Sequence, residues 1–449
     1  MRKLLAVWAA KLSAVAGRML GKKSSSTPGT IALKICPDII RILSQSVNKG
    51  IFVTCGTNGK TTTNNLLNTA LVKAGYKTVC NNLGANMVSG VATAFALACD
   101  LKGNLSADYA VLEIDEAAAR RVFEHLTPDY MVVTNLFRDQ LDRYGEIDIT
   151  YSLLDEAISM ADGVRLVLNG DDPLTSRFGK GRDAKYYGIS EQVLPQNFEA
   201  GEGQLCSVCG AEQKYNYIHY SQLGDYYCPN CGNKRNNIDF EATEIDLSGS
   251  MKFTVNKSER VDVNYRGFYN IYNILAVYAA LATAGIKPDN FNQILADYKP
   301  QTGRMELIDL GKPFILNLAK NPAGFNQAIQ TVMLDKRKKD VIVAVNDMVN
   351  DGQDVSWLWD VDFESLNDET LNTLTTSGMR VYDLALRFKY SGIKVDNITR
   401  NMRQAIERCR KTDAEVCYVL VNYTALFPTQ STMLEIRKEL KSGGEEIDR

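Results

Sequence analysis

Histidine is almost missing from this chain, with only His125 and His219 among 449 residues. A mechanism built on several imidazoles, as metal ligands or as proton relays, is thereby excluded. No apolar run approaches the roughly 20 residues that cross a bilayer. Neither charge dominates: 51 Lys and Arg against 53 Asp and Glu leave a net −2, which gives no electrostatic footprint for nucleic acid. A disulfide framework is wanting as well. Of ten cysteines, Cys36, Cys55, Cys80, Cys99, Cys409 and Cys417 are scattered singly, the pattern of reduced thiols in a cytoplasmic protein.

What is present is ordinary in bulk. Hydrophobic residues make up 45% and charged residues 23%, as in a soluble globular protein, and the length suggests about two to four domains. Met1 to Leu20 has a basic start and an apolar run, the outline of a signal peptide. Lys11 and Arg18 interrupt that run, however, while Leu4, Trp8, Leu12, Val15 and Met19 recur at helical spacing. An amphipathic helix is expected, either packed on its own domain or dwelling at a membrane surface. Gly21 to Gly29 reads as a linker.

The chemistry is organised around IFVTCGTNGKTTT, Ile51 to Thr63. Ile51 to Thr54 reads as a buried strand, Gly56-Thr57-Asn58-Gly59-Lys60-Thr61 follows as a turn, and Leu66, Leu67, Ala70 and Leu71 mark one face of a helix. Strand, glycine turn and helix start make a phosphate cradle, in which small residues let backbone N–H groups approach the oxygens. Lys60 is expected on the β and γ phosphates and Thr61 on magnesium, with Thr57, Asn58, Gly59 and Thr62 completing the ATP loop. Two residues separate the glycines where the common P-loop has four, so an ordinary strand-to-helix turn stands as the alternative.

From Ile31 to about Tyr298 strand-like and helix-like segments alternate. Tyr109–Asp115, Tyr130–Thr134 and Val164–Leu168 read as strands buried on both faces, which predicts a doubly wound, mainly parallel α/β sheet. Polar residues at the carboxyl ends of such strands are site candidates: Glu113, Asp115, Asn135, Asp139, Asn169, Asp171 and Asp172. Asp171 and Asp172 precede Pro173 and also suit a helix cap. Glu113, inside an apolar run, is costly to bury unless it meets a cation.

Cys206-x-x-Cys209 and Cys228-x-x-Cys231, separated by 18 residues, have the spacing of two zinc knuckles. Four thiolates give a closed, structural site with no position for substrate; two redox dithiols are the alternative. The intervening Tyr215, Tyr217, His219, Tyr220, Tyr226 and Tyr227 either pack the hairpin or stack bases, and few lysines accompany them. Further on, Gly267 to Ala280 reads as a helix opening with Asn270 and Asn273 on one face, able to read an adenine edge or to cap the helix. After Gly303-Arg304-Met305-Glu306 a new α/β pattern begins, with strands Phe314–Ala319, Val341–Val345 and Val416–Val421. Its loop Asn346 to Asp360 holds four aspartates and two tryptophans, which suits an interface anchor or, at Asp351-Gly352, a turn.

Taken together, GTNGKTT at Gly56 to Thr62, VLEIDE at Val111 to Glu116, TNLFRDQLDRYG at Thr134 to Gly145, NGDDP at Asn169 to Pro173, GFYNIYN at Gly267 to Asn273, GRME at Gly303 to Glu306 and NLAKNPAG at Asn317 to Gly324 resemble the Mur ligase family over residues 50 to 449. No counterpart of that family's UDP-sugar domain is expected ahead of the ATP loop. With the four-cysteine insert and the DGQDVSW segment, the chain is most similar to the branch that serves as the ligase subunit of lipid II isoglutaminyl synthases. The resemblance implies an amino-terminal helix and linker over 1–49, a central P-loop ATPase domain over 50–303 with a zinc ribbon inserted at about 202–236, and a smaller Rossmann-like carboxy-terminal domain over 304–449.

By the same resemblance, Lys60 holds phosphates, Thr61 and Glu113 hold magnesium, Asn270 and Asn273 face adenine, and Arg304 belongs to the hinge and nucleotide pocket. Asn317, Lys320 and Asn321 occupy the stretch that reaches nucleotide and substrate. Gln140 replaces a histidine and Tyr151–Met160 lacks the family's modified lysine, so a second metal site is absent or rebuilt from acids such as Asp155. The implied reaction activates the α-carboxylate of D-glutamate in the lipid II stem peptide with ATP and amidates it with ammonia. No Gly-x-Cys-x-Gly nucleophile elbow occurs here; the resemblance supplies a GatD-like glutamine amidotransferase partner, to whose triad this chain would lend Asp354. A folylpolyglutamate-type ligase and a nucleic-acid-dependent P-loop ATPase are the competing readings.

Overall fold

The computed structural model describes residues 1–19, 25–82, 85–138, 147–193, 204–287, 290–298, 302–349 and 351–442. The chain divides into two compact units. The larger is built from Met1–Phe137, Ile147–Tyr265 and Tyr269–Lys299, and the smaller chiefly from Pro300–Arg449.

In the larger unit the strands are β1 (Val47–Cys55), β2 (Thr78–Cys80), β3 (Ala107–Glu113), β4 (Tyr130–Val133), β5 (Arg165–Asn169), β6 (Ala184–Ile189), the hairpin β7 (Lys214–Tyr220) and β8 (Leu223–Tyr227), then β9 (Phe240–Asp246), β10 (Met251–Val255) and β11 (Glu259–Val263). Its helices are α1 (Arg2–Met19), α2 (Thr27–Ile35), α3 (Ile39–Ser44), α4 (Lys60–Lys73), α5 (Val88–Ala98), α6 (Ala119–Phe123), α7 (Ile147–Met160), α8 (Asn270–Thr283) and α9 (Phe291–Asp297). Among the described residues the main sheet has nine strands in the order β11-β10-β9-β6-β5-β4-β1-β3-β2. From β2 to β9 all neighbours are parallel, and β10 and β11 add an antiparallel edge. The expected mainly parallel sheet is therefore present.

The central position of β1 follows from its composition. Phe52 to Cys55 are completely buried, and Phe52 pairs in register with Val111 on β3 and Tyr130 on β4, so that an apolar strand is covered on both edges and both faces. One face is closed by α2, α3, α5, α6 and α7 in a continuous apolar core; on the other, α4 packs on α8. Strand β3 ends at Glu113, two residues before the sequence suggested. There the Asn81 side chain takes over the ladder, accepting from Glu113 N at 2.8 Å and donating to Glu113 O at 2.7 Å. Asp115 and Glu116 thus fall in the following turn.

The helix expected at the amino terminus is present. α1 packs on α2 and α5, but through the small residues Ala6, Val7, Ala10 and Ala14. Of the large residues that recur at helical spacing, Trp8, Leu12, Val15 and Met19 are exposed. A bulky side chain on the packed face would hold the helices further apart than alanine permits.

The smaller unit holds β12 (Glu306–Asp309), β13 (Pro313–Leu318), β14 (Lys339–Ala344), β15 (Leu371–Ser377), β16 (Asn397–Ile398) and β17 (Val416–Val421), with α10 (Pro322–Leu334), α11 (Val381–Tyr390), α12 (Met402–Arg410) and α13 (Tyr423–Ser442). Among the described residues its sheet runs β12-β13-β17-β14-β15-β16, parallel except for β12. Two apolar cores, one involving α10 and α11 and the other α12 and α13, cover its faces, which is the Rossmann-like arrangement expected. Asp139 and Gln140 lie outside the described residues.

Candidate active site and metal centre

The carboxyl end of β1 runs directly into the glycine turn and then α4, whose first residue is Lys60. Gly56 has φ +119° and Gly59 φ +84°, backbone that a side chain would strain. Space forbids one too. A Cβ at Gly56 would lie 2.3 Å from Thr134 Oγ1, and one at Gly59 2.3 Å from Asn273 Oδ1. The loop is pinned from β4: Thr57 N donates to Asn135 O at 2.8 Å, Asn58 N to Asn135 Oδ1 at 2.9 Å, and Thr134 Oγ1 to Asn58 O at 2.7 Å. Thr57 Oγ1 exchanges hydrogen bonds with the Phe137 backbone.

Within α4, Thr63 N donates back to Gly59 O at 2.9 Å, so the amides of Lys60, Thr61 and Thr62 belong to the open amino end, where a helix favours anions. Thr61 and Thr62 are half-buried there. Lys60 is buried. Its Nζ donates to Gly56 O and forms an ion pair with Glu116 Oε1 at 2.8 Å. Burial by itself would lower the lysine's pKa, but Glu116, Asp115 and Glu113 outweigh it and hold the ammonium well above its ordinary value. The lysine is a fixed positive charge.

Glu113 is buried at the end of β3, with Asn86 Nδ2 3.4 Å from its Oε1. Asn273, on the first turn of α8, holds Asn270 Oδ1 through its Nδ2 at 3.0 Å and receives Thr63 Oγ1 at 3.4 Å. The helix expected to face adenine is thus brought against the phosphate loop, and Asn273 lies over Gly59. Asn270 is the first residue of α8.

Beyond these residues, Glu116 was missed by sequence reasoning although it lies within VLEIDE. Nothing in the sequence distinguishes which of its three acids turns toward Lys60. A second buried pair went unread. Asp171 accepts from Arg235, at 2.6 Å to its Nη2, from Tyr272 OH at 2.7 Å and from Ile189 N at 2.9 Å, tying the end of the cysteine insert and α8 to β6. Asp172 braces the turn that follows: it accepts from Leu136 N and Leu174 N at 2.8 and 3.0 Å, and burial pushes its carboxyl up to about 6. Asp155 pairs with Arg182 at 2.6 Å.

The four cysteines converge. Sγ atoms of Cys206, Cys209, Cys228 and Cys231 all lie within 4.8 Å of one another, with Cys206–Cys231 and Cys209–Cys228 at 3.6 Å. A tetrahedral zinc with bonds of about 2.3 Å needs sulfur separations of about 3.8 Å, so the donor set fits. The two knuckles repeat one turn: Gly210 N donates to Cys206 O and Gly232 N to Cys228 O, with φ +72° and +74° at the glycines. Between them, His219, Tyr220 and Tyr226 of the hairpin are buried, Tyr217 OH reaches Ile189 O at 3.0 Å, and Gln222 Nε2 reaches Leu136 O at 2.6 Å. The rings that could have stacked bases are used to seat the hairpin; Tyr227 alone of them is exposed.

In the smaller unit, Arg304 sits half-buried in a turn held by Gly303 N to Glu306 Oε2 at 3.0 Å and by Met305 N to Asn317 Oδ1 at 3.4 Å. Asn321 caps α10, accepting from Gly324 N at 2.8 Å ahead of Pro322, and Lys320 is half-buried just before it. Asp354 is exposed and accepts from Ser356 N at 2.8 Å. That bond holds its carboxyl below the usual range. Trp359 is exposed, its ring against Tyr390 at 5.5 Å.

Residues 53–232 match the Mur ligase middle domain family and residues 318–426 the MurT ligase C-terminal family. The chain is 37% identical to the MurT subunit of the glutamine-hydrolysing lipid II isoglutaminyl synthase of Staphylococcus aureus strain COL, over 99% of this chain and 100% of that one. It is 35% identical to the subunit of the same description from Streptococcus pneumoniae, over 94% and 93%. Among solved structures, a pseudomurein peptide ligase type C from Methanothermus fervidus aligns with a TM-score of 0.69 at 24% identity over 92% of this chain and 85% of that one, and MurF from Acinetobacter baumannii with 0.65 at 17% over 91% and 80%; these show the fold. With full-length relatives of one kind and both family matches in place, the chain belongs to the MurT family of Mur ligases.

Proposed function

We propose that this chain is the ATP-dependent ligase subunit that amidates the α-carboxylate of D-glutamate in the lipid II stem peptide, giving D-isoglutamine with ammonia from a GatD-like glutaminase. The observation that carries the ligase reading is the buried Lys60 at the mouth of the glycine loop, charged and ringed by Glu113, Asp115 and Glu116. In the reaction, a carboxylate oxygen attacks the γ-phosphorus, the bond to the β-phosphate oxygen breaks, and an acyl phosphate forms. The ammonia lone pair then attacks the carbonyl carbon, phosphate leaves, and the nitrogen loses a proton.

Lys60 and the amides of the first turn of α4 offset the charge on the transferring phosphoryl group. Thr57, Asn58, Gly59, Thr61 and Thr62 are read as the remaining loop contacts, Asn270 and Asn273 as facing adenine, and Arg304 as a nucleotide contact. Magnesium, held by Thr61 and Glu113, would supply further charge stabilisation. Glu116 keeps Lys60 charged and aimed until phosphate replaces it. Asn317 holds the turn that carries Arg304, and Lys320 and Asn321 are assigned to substrate. Zinc on Cys206, Cys209, Cys228 and Cys231 would serve folding or partner contact and not catalysis.

Ammonia is mostly protonated at neutral pH, so it must be released beside the acyl phosphate. Asp354 is read as the acid that orients the partner's histidine, and exposed Trp359 with Tyr390 and Leu386 as the anchor for that partner. The test is mass spectrometry of lipid II incubated with the purified chain, ATP, magnesium and ammonium. Amidated product is expected; ATP hydrolysis without amidation would overturn the assignment.

A further inference from the structure

α1 presents two apolar faces. Ala6, Val7, Ala10 and Ala14 are buried against the rest of the larger unit. On the opposite side of the helix, Met1, Leu5, Trp8, Leu12, Val15 and Met19 follow one another at alternating steps of four and three residues, and all are exposed, Leu12 at 71% and Met19 at 83%. At 3.6 residues per turn those steps keep them in a single stripe. Such a stripe is not needed for folding, because the helix is already seated by its alanines. Large apolar side chains held in water along about 27 Å of helix mark a surface that something else covers.

The stripe does not end with the helix. The Trp8 indole N–H donates to Leu101 O at 2.8 Å and Lys11 Nζ to Leu97 O at 2.9 Å, and both Leu97 and Leu101 are exposed beside them. The charge around this surface is mainly positive. Arg2, Lys3, Lys11 and Arg18 lie on α1 and Lys102 follows Leu101, while Met1 to Met19 contain no acid. Asp100 at the end of α5 is turned into the backbone amides of Lys102 and Asn104. Apolar bulk with a tryptophan in the stripe and cations at its flanks is the complement of an anionic bilayer surface, where acyl chains take the leucines and headgroup phosphates the cations. A second copy of this chain would bring like charges together instead.

We propose that the outward face of α1, continued by Leu97 and Leu101, docks the protein onto anionic lipid with the helix lying in the plane of the membrane. The proposal is independent of the ligase reading, since it rests on this face alone. It is tested by flotation of the purified full chain, without substrate or nucleotide, on vesicles of phosphatidylcholine alone and of phosphatidylcholine with phosphatidylglycerol. Binding is expected to the anionic vesicles, weakened about a hundredfold by Leu5→Glu with Leu12→Glu and about tenfold by Arg2→Gln with Arg18→Gln. Because all four side chains are exposed, thermal unfolding of these variants should match the parent. No binding to anionic vesicles, or binding that the Leu5→Glu and Leu12→Glu pair leaves unchanged, would overturn it. So would a dimer, seen by light scattering, that the leucine pair dissociates without altering flotation.

Discussion

Gly56–Thr62 and Asp351–Asp360 each lie beyond the carboxyl end of a parallel strand, β1 and β14, yet their surroundings differ at almost every atom. In the first loop Thr57 and Lys60 are buried, and Thr134, Asn135, Glu116 and Asn273 fix it from three other elements. In the second, Asp351 accepts from Thr424 N at 2.9 Å and Leu358 is buried in the apolar core, with Val355 and Trp357 packed against it. Gln353, Asp354 and Trp359 face outward, and Asp354 bonds within its own turn. A loop that holds its ligand with backbone is determined by the interior. A loop that meets a partner is determined by something outside the chain. Substitutions in the first should therefore damage fold and chemistry together, and substitutions of Gln353, Asp354 and Trp359 in the second should spare the fold.

The largest expected effect is at Lys60. Lys60→Ala should lower the ATP-dependent rate by about a thousandfold or more, and also cost roughly 3 kcal/mol of stability by leaving Glu116 buried without its cation. Single-turnover phosphoryl transfer and urea unfolding read the two effects, and unchanged stability would break the contrast between the loops. Next comes the metal. One zinc per chain is expected by atomic emission, and Cys206→Ser should abolish it and lower the melting temperature by several degrees. An unaltered melting temperature would remove the structural role.

Gly59→Ala should cost about 1 to 3 kcal/mol through its positive φ and its approach to Asn273. Asn273→Ala in the same chain should recover the steric part, measured as a coupling in denaturant unfolding. A smaller, pH-dependent effect is expected at Asp172, whose carboxyl is pushed up to about 6. Between about pH 4 and pH 6 the folded chain holds this proton more tightly than the unfolded one. Its contribution to stability therefore falls, by about 3 kcal/mol, as pH rises through that window. Asp172→Asn should gain on the parent over the same interval in paired thermal melts, and parallel pH profiles would contradict the assignment.

Much of the larger unit was legible because its requirements are local. Gly56 and Gly59 are glycines for reasons of φ and space, the strands read as apolar runs, and the cysteine spacing reflects the knuckle turn itself. What stayed hidden depended on where side chains turn after folding. Glu116, not its neighbours, takes Lys60; Asp171 pairs with Arg235 from 64 residues away; and Asn317 holds a turn that its motif alone does not suggest. The recurrent large residues of α1 left the packed and the surface readings open because periodicity reports a face and not its direction. Asp354 carried no physical signal beyond turn chemistry, and its meaning came from resemblance.

The most direct measurement is isotope incorporation into lipid II with parent and Asp354→Asn chains, each supplied in one arm with ¹⁵N-ammonium and in the other with amide-¹⁵N glutamine and the glutaminase partner. The parent should amidate lipid II in both arms, and Asp354→Asn in the ammonium arm only. Loss of the ammonium reaction in Asp354→Asn, or full retention of the glutamine reaction, would contradict the division of labour between the two loops.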